Sequence, residues 1–374
     1  MQRGDVARLV AASLALALPA CGHGDDAPRP PDTATVPAKP GTLSVRGLGR
    51  ATRIEGFGHS YMVAFGVSPV RGFFADVERR LHVTGRQAGV NGSTVLDQLD
   101  ELYARELKRR SGPRAQLGLV MWGINDLAAY GPTVYPAFEN ALTSLLSRMR
   151  VAPGDAHAWS DATVKLGPGW SGTGDAASTT RDAALDIRLQ RGDVARTLGF
   201  VAPSTRRTGA LYRFTIDGRA AGRLDTRGLF PNKLSPHRGT PTPFIKRLRL
   251  PPGARVLHVD VTAVRGRAEF YGWHLEASDP PLIVVLHQPR TPSYVAYHGS
   301  FHRPDDGDVK DLNAATDEAI AAFADGQVVS ADADAKLHKD KVFFLHDRLH
   351  PNAIGHRLLA GAAIDAFESA VRRP

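Results

Sequence analysis

A chain of 374 residues, 43% hydrophobic and 23% charged, is long enough for two domains of ordinary size and has the balance of a globular protein. Its formal net charge of +9 suits anionic surroundings such as cell-wall polymers or lipid head groups. No zinc-finger spacing, clustered basic helical face or RNP-type aromatic strand accompanies that charge, so no nucleic-acid partner is expected, and the single cysteine, Cys21, excludes an intrachain disulfide.

In chain order, Arg3 and Arg8 precede a short apolar run over residues 9–18, too short to span a bilayer comfortably. Leu18-Pro19-Ala20-Cys21 then resembles a bacterial lipoprotein cleavage box, although proline before the small residue is not its commonest form. Cleavage there would make Cys21 a lipidated N-terminus that anchors the protein to a membrane, with Gly22 permitting export to an outer membrane. The alternative is an ordinary signal peptide with a bystander cysteine. Either way residues 1–20 are expected to direct export. Residues 21–48 are polar and rich in proline, which reads as a flexible tether.

A strand is expected over residues 52–58, interrupted by Arg53, Glu55 and Gly56, followed by Gly58-His59-Ser60 and by a helix carrying Phe73, Val77 and Leu81. That step presents Ser60 at the carboxyl end of a strand, where open α/β sheets bind ligands. Gly89 and Gly92 come next. The apolar run 117–122 reads as a second strand, ending at Gly123-Ile124-Asn125-Asp126. Phe138, Leu142, Leu145, Leu146 and Met149 then recur at helical spacing. The β-α-β-α order implies a mainly parallel sheet.

From about residue 157 to residue 277 the pattern changes to short alternating runs, such as Tyr212-x-Phe214-x-Ile216 ending at Asp217-Gly218. This predicts an all-β sandwich or jelly roll over 156–277, lying between two parts of an α/β domain at 49–155 and 278–374. Residues 282–286 are the strongest buried-strand signal, and two more helices follow, the last after Asp347-Arg348-Leu349-His350.

A serine hydroxyl needs a base within hydrogen-bond reach and a partner that orients the base. Asp347 and His350 supply both on one tight segment, so His350 is expected to take the Ser60 proton and Asp347 to hold the ring tautomer. The oxyanion donors expected are the backbone N–H groups of Ser60 and Gly89 and the side-chain amide of Asn125.

These four pieces, in order, resemble the conserved blocks of the SGNH (GDSL-like) hydrolase superfamily over about residues 50–155 and 278–374. Ser60 matches the first-block serine, Gly89 the second-block glycine, Asn125 the asparagine of Gly-x-Asn-Asp, and Asp347 and His350 the terminal Asp-x-x-His. The resemblance implies a three-layer α/β/α fold and ester hydrolysis through an acyl-enzyme, without metal or other cofactor. It departs from the usual Gly-Asp-Ser at His59, a second proton carrier or a polar residue packed beneath the turn. His59, Tyr61, Trp122, His287 and His346 are candidates for lining the pocket. Gln288 shares the rim with His287, Asp126 is expected to cap a turn, and His356 to face solvent. Trp159, Trp170 and Trp273 could stack on sugar rings or fill the β core. The layout resembles bacterial carbohydrate O-acetylesterases, which implies short acyl esters on a polysaccharide or cell-envelope glycan as substrate. A lipid esterase or thioesterase, an O-acyltransferase and a non-catalytic polysaccharide-binding lipoprotein remain open.

Overall fold

The computed structural model of the chain describes residues 44–45, 49–96, 98–99, 115–190, 194–205, 208–227 and 242–372. The expected export segment 1–20, Cys21 and all of the tether except residues 44–45 lie outside them. No helix among the described residues is long and apolar enough to cross a membrane.

A small antiparallel pair, β1 (Ser44–Val45) and β2 (Gly49–Arg50), precedes the central sheet. That sheet starts with β3 (Arg53–Gly58), β4 (Thr84–Gln87) and β5 (Leu117–Met121), with α1 (Phe73–Leu81) between β3 and β4. Beyond β5 come α2 (Ile124–Tyr130) and α3 (Tyr135–Met149). The antiparallel strands follow: β6 (Val151–Ala158), β7 (Val164–Leu166), β8 (Ser171–Thr173), β9 (Ala176–Thr179), β10 (Ala183–Arg188) and β11 (Arg196–Ser204). They continue with β12 (Gly209–Ile216), β13 (Arg219–Asp225), β14 (Thr242–Leu250), β15 (Val256–Arg265), β16 (Ala268–Phe270) and β17 (Gly272–Glu276). The chain then returns to the central sheet through β18 (Leu282–Leu286), α4 (Asp306–Ala321), β19 (Val328–Ala331), α5 (Asp334–Leu337) and α6 (Ala353–Arg372).

The central sheet has the order β19-β18-β5-β3-β4, every pair parallel. Side chains alternate across it, as the two-residue strand period requires. Leu117, Leu119, Met121, Leu282, Val284 and Leu286 pack on one face with α1 and α6, while Val120, Ile283 and Val285 pack on the other with α2, α3 and α4. The result is three layers, helices on both sides of a parallel sheet, as expected from the sequence. Gly56 in β3, which weakens the strand signal, is there because the α1 side chain Phe74 occupies the space: a Cβ at residue 56 would lie 2.5 Å from its ring.

The antiparallel strands form two facing sheets, β13-β12-β15-β10-β7 and β14-β11-β17-β6, with a third of order β16-β9-β8. Their core is built from inward-facing alternating residues, among them Phe200, Tyr212, Phe214, Val259 and Phe270. The β12–β13 hairpin turns through Asp217 and Gly218, both at positive φ (47° and 80°), the backbone a two-residue turn of this hand demands. β6 begins at Val151 and crosses the 155/156 boundary expected from the sequence.

Candidate active site

The chain order of the central sheet reverses between β3 and β5, since β4 lies to one side of β3 and β5 to the other. Such a switch point opens a crevice beyond the carboxyl ends of the strands. Ser60 follows β3 and Asn125 follows β5, so both arise at this crevice.

After β3 the chain coils through consecutive turns: Met62 N–H donates to the His59 carbonyl (2.9 Å) and Phe65 N–H to the Ser60 carbonyl (3.0 Å). Ser60 is held on the first of them, 6% exposed. The segment that faces it is a small closed loop. Phe344 bridges to Pro351, and Leu345 N–H donates to the His350 carbonyl at 2.7 Å. Arg348 sits at φ 57°, which tightens the loop between Asp347 and His350. Asn352 ends it by accepting the N–H groups of Ile354 and Gly355 at the start of α6.

The structure brings Ser60, His350 and Asp347 into one line. His350 Nε2 lies 3.0 Å from Ser60 Oγ, and His350 Nδ1 lies 2.6 Å from Asp347 Oδ2. Asp347 Oδ1 accepts the backbone N–H groups of Leu349 (2.9 Å) and His350 (3.0 Å). Burial pushes the Asp347 carboxyl up, but these hydrogen bonds outweigh it and hold the group below its ordinary value, ionised at neutral pH. The His350 ring is flanked by Phe65, with ring centres 4.4 Å apart, and by Tyr61 at 5.9 Å.

The N–H groups of Ala88 and Val90 donate to Gly56 and Gly58 on β3. The intervening Gly89 N–H therefore points away from that strand. Neither it nor the Ser60 N–H meets a protein acceptor among the described residues. A Cβ at residue 89 would come within 2.9 Å of the Met62 side chain, so only glycine lets this backbone close on the Ser60 turn. Asn125 is buried and doubly fixed: Nδ2 donates to the Ser93 carbonyl and Oδ1 accepts from the Tyr297 hydroxyl, both at 2.9 Å. One amide proton of Asn125 remains for a ligand.

The other candidates separate into supports and bystanders. His59 is fully buried, with Nδ1 3.3 Å from Ser60 Oγ and Nε2 3.1 Å from Gln288 Oε1, and burial lowers its pKa to about 4. Tyr61 and Trp122 do not line an open pocket. Both are buried, Tyr61 donating to the Leu349 carbonyl at 2.6 Å and Trp122 Nε1 to Ser93 Oγ at 3.3 Å. His287 turns to Asp317 on α4 (2.9 Å), and His346 is exposed, without a hydrogen bond to Ser60, Asp347 or His350 among the described residues. Asp126 is buried and accepts the Val95 N–H at 3.1 Å, tying down the segment after Gly89. His356 does not face solvent as expected: it is fully buried on the inner side of α6, its Nδ1 accepting the Phe73 N–H at 3.4 Å, and burial lowers its pKa to about 4.

Trp273 is core, stacked on His157 with ring centres 4.0 Å apart, and Trp159 and Trp170 pack against the same cluster. Sequence reasoning missed Phe65, Ser93 and Tyr297. Only Tyr297 carried a signal, as an aromatic in the loop after the strongest strand. A cleft of about 810 Å³ lies elsewhere, between α3, the segment after α4 and the strands β11, β13 and β14, and contains none of these residues.

No protein-family model matches the chain, and no curated protein matches it. Among solved structures it is similar to a member of the lipolytic protein G-D-S-L family from Veillonella parvula, at 11% identity over 85% of this chain and 99% of that one, with a TM-score of 0.41. It is also similar to the lipase Lip_vut3 from a goat rumen metagenome, at 11% identity over 84% of this chain and 97% of that one, TM-score 0.39. A mannan-binding module from Man5C is similar to 31% of this chain over 94% of its own length, at 12% identity and a TM-score of 0.24.

Proposed function

We propose that this protein is a serine ester hydrolase of the SGNH type, with Ser60 as nucleophile, His350 as general base and acid, and Asp347 as the group that orients His350. The observation that carries this reading is the unbroken chain from Asp347 Oδ2 through His350 to Ser60 Oγ, at 2.6 and 3.0 Å, beside two uncommitted backbone N–H groups. An ionised Asp347 keeps the proton on His350 Nδ1, leaving Nε2 bare to accept the Ser60 proton.

In the reaction, Ser60 Oγ attacks the ester carbonyl carbon as its proton passes to His350 Nε2. The oxyanion accepts from Ser60 N–H, Gly89 N–H and Asn125 Nδ2. Collapse expels the alcohol, which leaves with the proton from His350. Water then attacks the acyl-Ser60 ester with His350 as base, and the carboxylic acid departs. Within this class we assign short acyl esters, acetyl foremost, carried on a polysaccharide or cell-envelope glycan. What supports the glycan is the sandwich packed beside the catalytic layers.

The test treats the protein and its Ser60→Ala variant with a fluorophosphonate probe and then with aryl acetate and acetylated xylan. Labelling and acetate release in the parent, both lost in the variant, are expected. A folded parent that the probe does not label would end the serine-hydrolase reading. Cleavage of the aryl ester with no acetate from any acetylated glycan would end the substrate assignment alone.

A further inference from the structure

Ser60 Oγ has a second imidazole on it, and the proton count around the two rings is constrained. His350 Nδ1 carries a proton because it faces the Asp347 carboxylate, so the bare Nε2 accepts the one proton that the Ser60 hydroxyl owns. The contact at 3.3 Å from His59 Nδ1 to the same oxygen is then a hydrogen bond only if His59 is the donor. A proton on Nδ1 of a neutral ring leaves Nε2 as an acceptor, and the Gln288 group 3.1 Å away must be the amide nitrogen.

With Gln288 Oε1 in that place, two acceptors compete for one hydroxyl proton, and Gln288 Nε2 is buried with no partner. Turning the amide by half a rotation removes both faults. It gives up the 3.4 Å contact from Tyr61 N–H to His59 Nδ1, the longest in the cluster, and leaves that N–H without an acceptor among the described residues. Oε1 then takes the place of Nε2 near the Tyr61 hydroxyl, and acceptors are left unpaired in folded proteins more readily than donors.

We infer that His59, fixed by Gln288, is a neutral Nδ1–H donor to the Ser60 nucleophile, opposite the base. This rests on the serine-hydrolase reading for its catalytic consequence. As the Ser60 proton moves to His350, charge builds on Oγ, and a preorganised N–H aimed at that atom stabilises it. Neutrality matters, because a charged ring here would oppose the imidazolium forming on His350. Burial supplies that neutrality. Gln288 is held in turn at its backbone, where N–H donates to Asn313 Oδ1 (2.8 Å) and the carbonyl accepts from Asn313 Nδ2 (2.9 Å).

The experiment uses the full chain with ¹⁵N-labelled histidine, comparing the parent with His59→Leu, His59→Asn and Gln288→Glu, each checked for folding by its thermal midpoint. Long-range ¹H–¹⁵N spectra of the parent are expected to show His59 protonated at Nδ1. In Gln288→Glu the carboxylate only accepts, and the proton is expected to move to Nε2. His59→Leu and Gln288→Glu are each expected to lower kcat on aryl acetate and the rate of phosphonate labelling about tenfold, or ~1.4 kcal/mol, with KM little changed. His59→Asn, which keeps an N–H near Oγ, is expected to recover part of that loss. An Nε2–H tautomer in the parent, or undiminished kcat in a folded His59→Leu, overturns the inference. A parent with the Nδ1–H tautomer that cleaves no ester leaves the hydrogen bond standing and removes the esterase reading instead.

Discussion

In the proposed mechanism the residue on which the chemistry turns most sharply is Asp347, because its charge decides where the His350 proton sits. Asp347→Asn keeps the shape but can present an N–H to His350 Nδ1, which favours the wrong tautomer. The expected loss in kcat on aryl acetate is roughly 10⁴-fold, with the thermal midpoint little changed. A loss under tenfold would mean that His350 is oriented by its ring neighbours Phe65 and Tyr61 instead. Ser60, Asp347 and His350 were legible in the sequence because each sits in a short motif whose spacing fixes its geometry. The supports were not. Tyr297 reaches Asn125 across 172 positions of sequence and Gln288 reaches His59 across 229, and no local pattern encodes such pairs. His356 is hidden in the sequence because a polar residue on the buried face of the last helix adds nothing to its apolar period. It lies three residues before Leu359 and seven before Ala363, on the same buried face.

Elements were most legible where burial is two-sided. β5 and β18 are buried at every position and read as continuous apolar runs. β3 read poorly because two of its residues are glycines that admit Phe74 and Met62 against the backbone, and because Glu55 pairs at 3.2 Å with Arg86 on the edge strand β4. The join between α3 and the antiparallel strands was not legible, since it rests on charges rather than periodicity. Glu276, at the end of β17, accepts from Ser147 on α3 (2.9 Å), from Arg150 just past it (2.8 Å) and from Arg247 on β14 (2.6 Å). Arg150 also pairs with Asp325, and the Arg247 guanidinium lies 3.9 Å from the Phe323 ring centre. Glu276→Gln would leave two arginines short of their shared counter-charge, with Arg150 only 2% exposed. Breaking a buried pair from one side costs about 3–5 kcal/mol, and equilibrium denaturation is expected to read a loss of that order. A loss below about 1 kcal/mol would show that the two arginines find other partners or water. Ester turnover per folded molecule is expected to hold in this variant, because no part of the cluster touches Ser60.

For the whole molecule, these buried groups set how stability depends on pH. His59 and His356 are buried neutral, each with its pKa lowered by burial to about 4, and burial drives His274 well below its ordinary value too. In the unfolded chain each returns to about 6.5, so below that pH the unfolded state binds protons that the folded state refuses. Their contribution is complete above about pH 6.5 and is lost as the pH falls toward 4. For His59 and His356 the loss between pH 7 and pH 5 is roughly 2 kcal/mol each. His258 has the opposite sign, its pKa raised mainly by its hydrogen bond to Asp186, but its side chain is 40% exposed and its share is small. Burial pushes Asp161 and Asp325 up, but hydrogen bonds outweigh it and lower both carboxyls, Asp161 to about 2, so their contributions persist until the pH drops below about 4. Acid should therefore act in two stages, histidines before carboxylates. Denaturant midpoints measured at pH 7, 6 and 5 are expected to fall steadily. A His356→Gln variant, which removes one of these groups without adding a charge, should show a shallower fall than the parent. Equal stability of the parent at pH 7 and pH 5 would contradict the neutral burial of these rings. A parallel slope in parent and variant would take His356 out of the account and leave His59 and His274 to carry the effect.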